Sequence, residues 1–220
     1  MKTKAVFFDL DGTLLDTLES IATAGNHALT ALGLTPLPIE NYKYYAGDGA
    51  DTLCRRMLAD CGDMEGVRFS ECFRIYSEYF KTDCTYHVKP FDGILPLLKE
   101  LEHRKIQTAV ISNKPHERTL DVVSAQFGIH KFSIVLGNQK DQPKKPDPSS
   151  ALLAAKKLGV LPEGCLFVGD TNVDMQTGNN AHMRSIGVLW GFRDREELLA
   201  NHAYGIIESP LELLKYCSRL

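Results

Sequence analysis

Short apolar runs alternate along this chain with stretches of helical periodicity, and the alternation carries most of the fold. Ala5-Val6-Phe7-Phe8, Thr108-Ala109-Val110-Ile111, Ser133-Ile134-Val135-Leu136 and Cys165-Leu166-Phe167-Val168 are near-continuously apolar. Runs of that length suit strands buried on both faces of a parallel sheet. Two weaker runs, Ile186–Leu189 and Gly205–Ile207, follow the same pattern. From position 92 onward, helical patterns separate these strands. Ile94, Leu95, Leu97, Leu98 and Leu101 form one apolar stripe that ends at Arg104-Lys105. Further helices are predicted from about Pro115 to Gln126, before Gly128, and from Pro148 to Leu158, before Gly159. Glycine just past a helix end suits a C-terminal cap. Strand and helix in repeated alternation predict an α/β fold with an open parallel sheet.

The first third breaks the rhythm. Nearly a hundred residues separate the first strand from the second, with no convincing strand between them. Residues 17–32 read as one helix stopped by Gly33, Pro36 and Pro38. Two more are expected near Ala50–Cys61 and Val67–Lys81, rich in Leu, Met, Phe and Tyr. The pattern predicts an α-helical module over residues 16–89, inserted into an α/β core formed by residues 1–15 and 90–220. Ligands of open α/β sheets bind beyond the carboxyl ends of the strands, so a module inserted just after the first strand would lie over that crevice as a lid.

Composition adds exclusions. Hydrophobic residues are 44% and charged residues 24% of the 220 positions, ordinary for a soluble globular protein. No run approaches the ~18 apolar residues of a membrane span. The opening residues lack a secretory pattern, so the expectation is a cytoplasmic protein without a membrane partner. A net charge of −3 argues against general nucleic-acid affinity but not against an anionic substrate, since a bound divalent cation would supply local positive charge. The six cysteines are scattered without a Cys-x-x-Cys pair, which argues against a zinc site.

Four polar clusters fall at the predicted strand ends. The first is Asp9-Leu10-Asp11-Gly12-Thr13. Neighbouring carboxylates raise one another's pKa, a conflict that a metal or a difference in protonation resolves. One would stay ionised as nucleophile or ligand while the other serves as acid and base; Gly12 would let the backbone turn sharply. The second is Ser112-Asn113, whose hydroxyl and amides could hold phosphate oxygens. The third is Lys144-Lys145-Pro146-Asp147-Pro148, where a lysine offers a point charge to a phosphoryl group. The fourth is Gly169-Asp170-Thr171-Asn172-Val173-Asp174, whose two aspartates could share a hard cation. Singly, each reads as a turn, a cap or a solvated face. Together, at four strand ends of one parallel sheet, they converge on one patch.

In that order the clusters resemble the haloacid dehalogenase superfamily, whose pattern is Asp-x-Asp-Gly-Thr, then Ser or Thr, then Lys, then Gly-Asp-x-x-x-Asp. The resemblance covers nearly the whole chain and implies a Rossmann-like core, a helical cap and phosphomonoester hydrolysis. It implies Asp9 as nucleophile through an aspartyl-phosphate, Asp11 as acid and base, and Lys145, the lysine directly before Pro-x-Pro, as the phosphoryl contact. Mg2+ would be held by Asp9, the Asp11 carbonyl, Asp170 and Asp174, and the phosphate by Gly12, Thr13, Ser112 and Asn113. Within the superfamily, Asp11–Thr17, Phe91–Ile94, Ser112–Pro115 and Val168–Thr171 are similar to the phosphoglycolate phosphatases, which implies a small phosphate ester as partner. Gly47-Asp48-Gly49 is similar to their cap loop, where Asn often replaces Asp48. A carboxylate there would oppose a carboxylate substrate unless it points away. Arg55 and Arg56 are expected on a solvated helix face. The rival readings are a phosphosugar mutase or pyrophosphatase on the same scaffold, a phospho-accepting receiver, and a non-hydrolysing binding protein.

Overall fold

A computed structural model describes residues 2–128 and 130–217. Six parallel strands form its sheet: β1 (Ala5–Phe8), β4 (Gln107–Pro115), β5 (Ile134–Asn138), β6 (Cys165–Gly169), β7 (Arg184–Val188) and β8 (Gly205–Ile207). Their order is β5-β4-β1-β6-β7-β8. The chain fills one side of β1 and then crosses to the other, so the carboxyl ends of β1, β4 and β6 bound a crevice at the switch point.

Every residue of β1 and β6 is buried, as apolar runs without alternation require. Side chains still alternate between faces. Val6 and Phe8 join the larger core cluster, while Ala5 and Phe7 pack with Ala151, Ala154 and Ala155 on the other face. Those alanines belong to α7 (Ser149–Leu158). The sheet is flanked by α5 (Ile94–His103), α6 (His116–Phe127), α8 (Asn172–Asn180) and α9 (Arg195–Ala200). The stripe read on the chain is the buried face of α5, with Ile94, Leu97, Leu98 and Leu101 inside; Leu95 is exposed.

Between β1 and β4 lie α1 (Leu18–Ala31), α2 (Tyr42–Tyr45), α3 (Ala50–Asp60) and α4 (Phe69–Asp83). A two-stranded antiparallel ribbon, β2 (Leu15–Asp16) with β3 (Lys89–Pro90), ties the two chain crossings together. Neither the ribbon nor α2 is predicted from the sequence, because two to four residues are too few to show a period. Tyr42, on α2, is fully buried and donates its hydroxyl to Asn26 Oδ1 at 2.9 Å. No helix among the described residues is long and apolar enough to cross a membrane.

Candidate active site

The end of β1 delivers Asp9 to the crevice, its amide bonded to the Val168 carbonyl of β6 at 2.9 Å. The chain then folds back tightly, and the amides of Leu14 and Leu15 both donate to the Leu10 carbonyl at 3.0 Å. Gly12 sits at φ +82°, and a Cβ there would lie 2.3 Å from Asp170 Oδ2. Backbone sign and lack of space both demand glycine.

Asp170 and Asp174 are fully buried. Asp170 accepts from the Thr13 hydroxyl at 2.8 Å and the Phe192 amide at 2.9 Å. Asp174, third residue of α8, closes a capping box with the N-cap Thr171, accepting from its amide at 3.0 Å and its hydroxyl at 2.8 Å. One oxygen from each of Asp9, Asp170 and Asp174 lies within 4.8 Å of the others. Lys145 Nζ bridges two of them, 2.7 Å from both Asp9 Oδ1 and Asp174 Oδ1. When all three carboxylates are ionised, one ammonium leaves two negative charges in a buried cluster of hard oxygen donors. That donor set fits a hard divalent cation.

The energetics match this excess of charge. Burial and the neighbouring Asp174 push the Asp9 carboxyl well above the usual range, against the pull of Lys145. Burial and Asp174 also raise Asp170 to about 7. Burial works against the Lys145 ammonium, but Asp174 and Asp9 prevail and raise its pKa.

A stability consequence follows for the metal-free chain. Between 3.8 and about 7 the folded protein keeps the Asp170 proton while the unfolded chain has released it. The unfolded state binds fewer protons there, so the Asp170 contribution falls as pH rises through that window. Melting curves of Asp170→Asn against the native chain, without metal, are expected to favour the variant increasingly from pH 4 to 7. A difference independent of pH would contradict the cluster's electrostatics.

Asp11 is not one of these clustered carboxylates. Its side chain pairs with Lys114 Nζ at 2.9 and 3.2 Å, so its carboxylate is not in the potential metal cluster. Lys114 is itself buried, its ammonium 4.7 Å from the centre of the Phe80 ring. No sequence motif singles it out as a functional side chain. The available signal was its place at the end of a buried strand, where a lysine needs a partner.

A pocket of about 50 Å3 joins the pieces. Asp9, Asp11, Ser112, Asn113 and Lys114 form its polar floor, while Gly47, Gly49, Leu53, Tyr76 and Phe80 are among the residues above. The Asn113 side chain is committed to the scaffold. It donates to the Gly47 and Lys145 carbonyls, each at 3.0 Å, and accepts from the Lys145 amide at 2.8 Å. Ser112 Oγ accepts from the Lys114 amide at 3.2 Å. Thr13, expected at the phosphate, is fully buried and serves Asp170 instead.

The segment 43–51, from α2 through the turn into α3, is clasped from the sheet side. Arg193 donates to the Lys43 and Ala46 carbonyls, and Lys144 pairs with Asp51. The neighbouring lysines thus divide, Lys145 into the carboxylates and Lys144 to the loop. Asp48 lies off the pocket lining, paired with Arg56 Nη1 at 2.6 Å. Arg56 also donates to the Tyr45 carbonyl at 3.1 Å, and Arg55 lies 3.7 Å over the Phe69 ring. Arg55 is exposed, as expected of a solvated helix face, whereas Arg56 is half-buried and meets Asp48 across a turn that helical spacing does not reveal.

Comparison with known proteins matches residues 6–188 to the haloacid dehalogenase-like hydrolase family. A phosphoglycolate phosphatase of Nitrosospira multiformis is 31% identical, over 96% of this chain and 94% of its own. An N-acetylmuramic acid 6-phosphate phosphatase of Pseudomonas putida is 30% identical, over 98% and 96%. In three dimensions, a provisional phosphoglycolate phosphatase from Lactobacillus delbrueckii subsp. bulgaricus superposes with a TM-score of 0.92. It is 30% identical and covers 99% of both chains.

Proposed function

The chain belongs to the haloacid dehalogenase-like hydrolases and is a phosphatase, and we propose that it cleaves small phosphate monoesters, 2-phosphoglycolate among them, through an aspartyl-phosphate on Asp9. In the first step an Asp9 oxygen attacks phosphorus, the ester P–O bond breaks, and Asp11 gives its proton to the leaving oxygen. In the second, Asp11 takes a proton from water, which attacks the same phosphorus and releases inorganic phosphate, freeing the Asp9 carboxylate.

Asp9, Asp170 and Asp174 are the residues that would hold Mg2+, and the family resemblance adds the Asp11 carbonyl. When bound, the ion offsets the repulsion between the phosphoryl oxygens and the carboxylates. Lys145 adds a fixed positive charge against Asp9, and the Ser112 hydroxyl and Asn113 amide border the phosphoryl position. Lys114 holds Asp11 in place and, among the described residues, is the one cation lining the inner pocket. The helices over residues 16–89 act as a cap that limits water, with Gly47 and Gly49 admitting the substrate closely.

The carrying observation is that Asp9 and Asp11, two residues apart, line one pocket while making separate lysine partnerships. The test is phosphate release from a panel of esters with Mg2+, including 2-phosphoglycolate, sugar phosphates, nucleotides and pyrophosphate. Chelation of Mg2+ is expected to stop turnover, with recovery on its return. A chelator-resistant enzyme would sink the metal assignment, and isomerised sugar phosphate without free phosphate would favour a mutase.

A further inference from the structure

Beyond Tyr76 and Phe80 lies a second and larger space. It opens between α4 and the start of α6, encloses about 650 Å3, and shares Ala50, Tyr76, Phe80 and Pro115 with the inner pocket. The inner pocket, at about 50 Å3, is far below the size of ordinary ligand sites, whereas the outer cleft falls within their range of roughly 300–1,000 Å3. Its wall follows from helical spacing on α4. Phe73, Tyr76, Ser77, Phe80 and Lys81 fall at i, i+3, i+4, i+7 and i+8, one face of the helix. Tyr76 and Phe80 are stacked, their ring centres 5.3 Å apart, so one aromatic pair borders both spaces.

The charges around the cleft are unequal. Among the described residues Glu117 is its one acidic lining residue, against Lys81, Arg118 and Lys140. Arg118 is already engaged, with Glu117 at 3.3 Å, Asp121 at 3.0 Å and the Lys81 carbonyl at 2.9 Å. The ammonium groups of Lys81 and Lys140 have no carboxylate partner among the described residues. Asn138 also lines the cleft, and its buried Oδ1 has no hydrogen-bond partner among the described residues. A buried acceptor in that state is a place for a ligand donor.

We infer that the cleft receives the far part of the leaving group, so the preferred substrates are extended phosphate monoesters with a second anionic group at the distal end. The inference rests on the phosphatase reading of the inner pocket. The reacting phosphate lies at Asp9, the carbon skeleton passes Tyr76 and Phe80 with its C–H faces against the rings, and a terminal phosphate or carboxylate meets Lys81 and Lys140. A two-carbon leaving group such as glycolate would leave this cleft empty.

The experiment compares phosphate release from three six-carbon esters with 2-phosphoglycolate. Glucitol 6-phosphate ends in a neutral hydroxyl, 6-phosphogluconate in a carboxylate, and glucitol 1,6-bisphosphate in a second phosphate. The native enzyme is expected to favour one or both anionic-ended esters over the neutral one by at least about tenfold in kcat/KM, and the favoured one identifies the anion. In Lys81→Ala/Lys140→Ala that advantage should vanish through a higher KM, with 2-phosphoglycolate and the neutral ester unchanged. Equal turnover of neutral and anionic-ended esters by the native enzyme would overturn the inference while leaving the phosphatase intact. So would a double variant that preserves the preference or weakens all substrates alike. No phosphate release from any ester, 2-phosphoglycolate included, would overturn the phosphatase reading and this inference with it.

Discussion

Asp9→Asn is expected to lower phosphate release by at least about 10^4-fold while the metal-free chain gains thermal stability at neutral pH. The two effects have one origin. An amide oxygen is a poor nucleophile towards phosphorus, so the first step loses its attacking group. The same exchange removes a carboxyl that burial and Asp174 already hold well above its usual pKa. The asparagine carbonyl can still accept from Lys145, which keeps its 2.7 Å contact with Asp174. Fewer unneutralised charges then remain in the cluster, and the fold is relieved of a desolvation cost. Parallel phosphate-release assays and melting curves without metal would check the pair. Retained turnover would remove Asp9 as nucleophile; lost turnover with a collapsed fold would show that the carboxylate is structural.

What the sequence made legible follows from which interactions are local. Buried parallel strands write themselves as apolar runs, and polar residues directly after such runs can only lie at strand ends. Hence Asp9, Ser112 and Asp170 are legible at one end of the sheet from pattern, whereas Lys145, nine residues past the run ending at Leu136, is separated from Lys144 only by the family resemblance. Pairings across the fold leave no such trace. Lys114 and Asp11 are 103 positions apart, and Arg193 reaches the Lys43 carbonyl across 150. The partner of Asp48 was hidden for a different reason. Arg56 is only eight residues on, but Gly49 at φ +96° turns the chain between them, and no helical rule spans that turn. This pairing turns Asp48 to Arg56, off the lining of the inner pocket. The gap between α4 and α6 is the least legible feature, because no run of residues encodes it by itself.

The contrast between adjacent lysines gives the sharpest test of the site's electrostatics. Lys145→Ala is expected to cost about 3–5 kcal/mol of stability in the metal-free protein near neutral pH, and to lower kcat/KM by about 10^2–10^3-fold. The Lys145 side chain is 3% exposed between carboxylates that are 8% and 1% exposed, so its loss leaves buried charges without compensation. Lys144→Ala should change stability by no more than about 1 kcal/mol, because its pair with Asp51 is 32% and 45% exposed and water screens it. The Lys145 deficit should also depend on pH. Removing the ammonium raises the folded pKa of carboxyls that already stand high, Asp170 at about 7 among them. Below that range they are protonated and need no counter-charge, so the deficit shrinks on acidification and grows as pH rises. Melting curves of both variants across pH 5–8 without metal would measure this. Equal losses from the two lysines, or a Lys145 deficit that does not vary with pH, would show that Lys145 is a packing residue rather than the charge that holds Asp9 and Asp174 together.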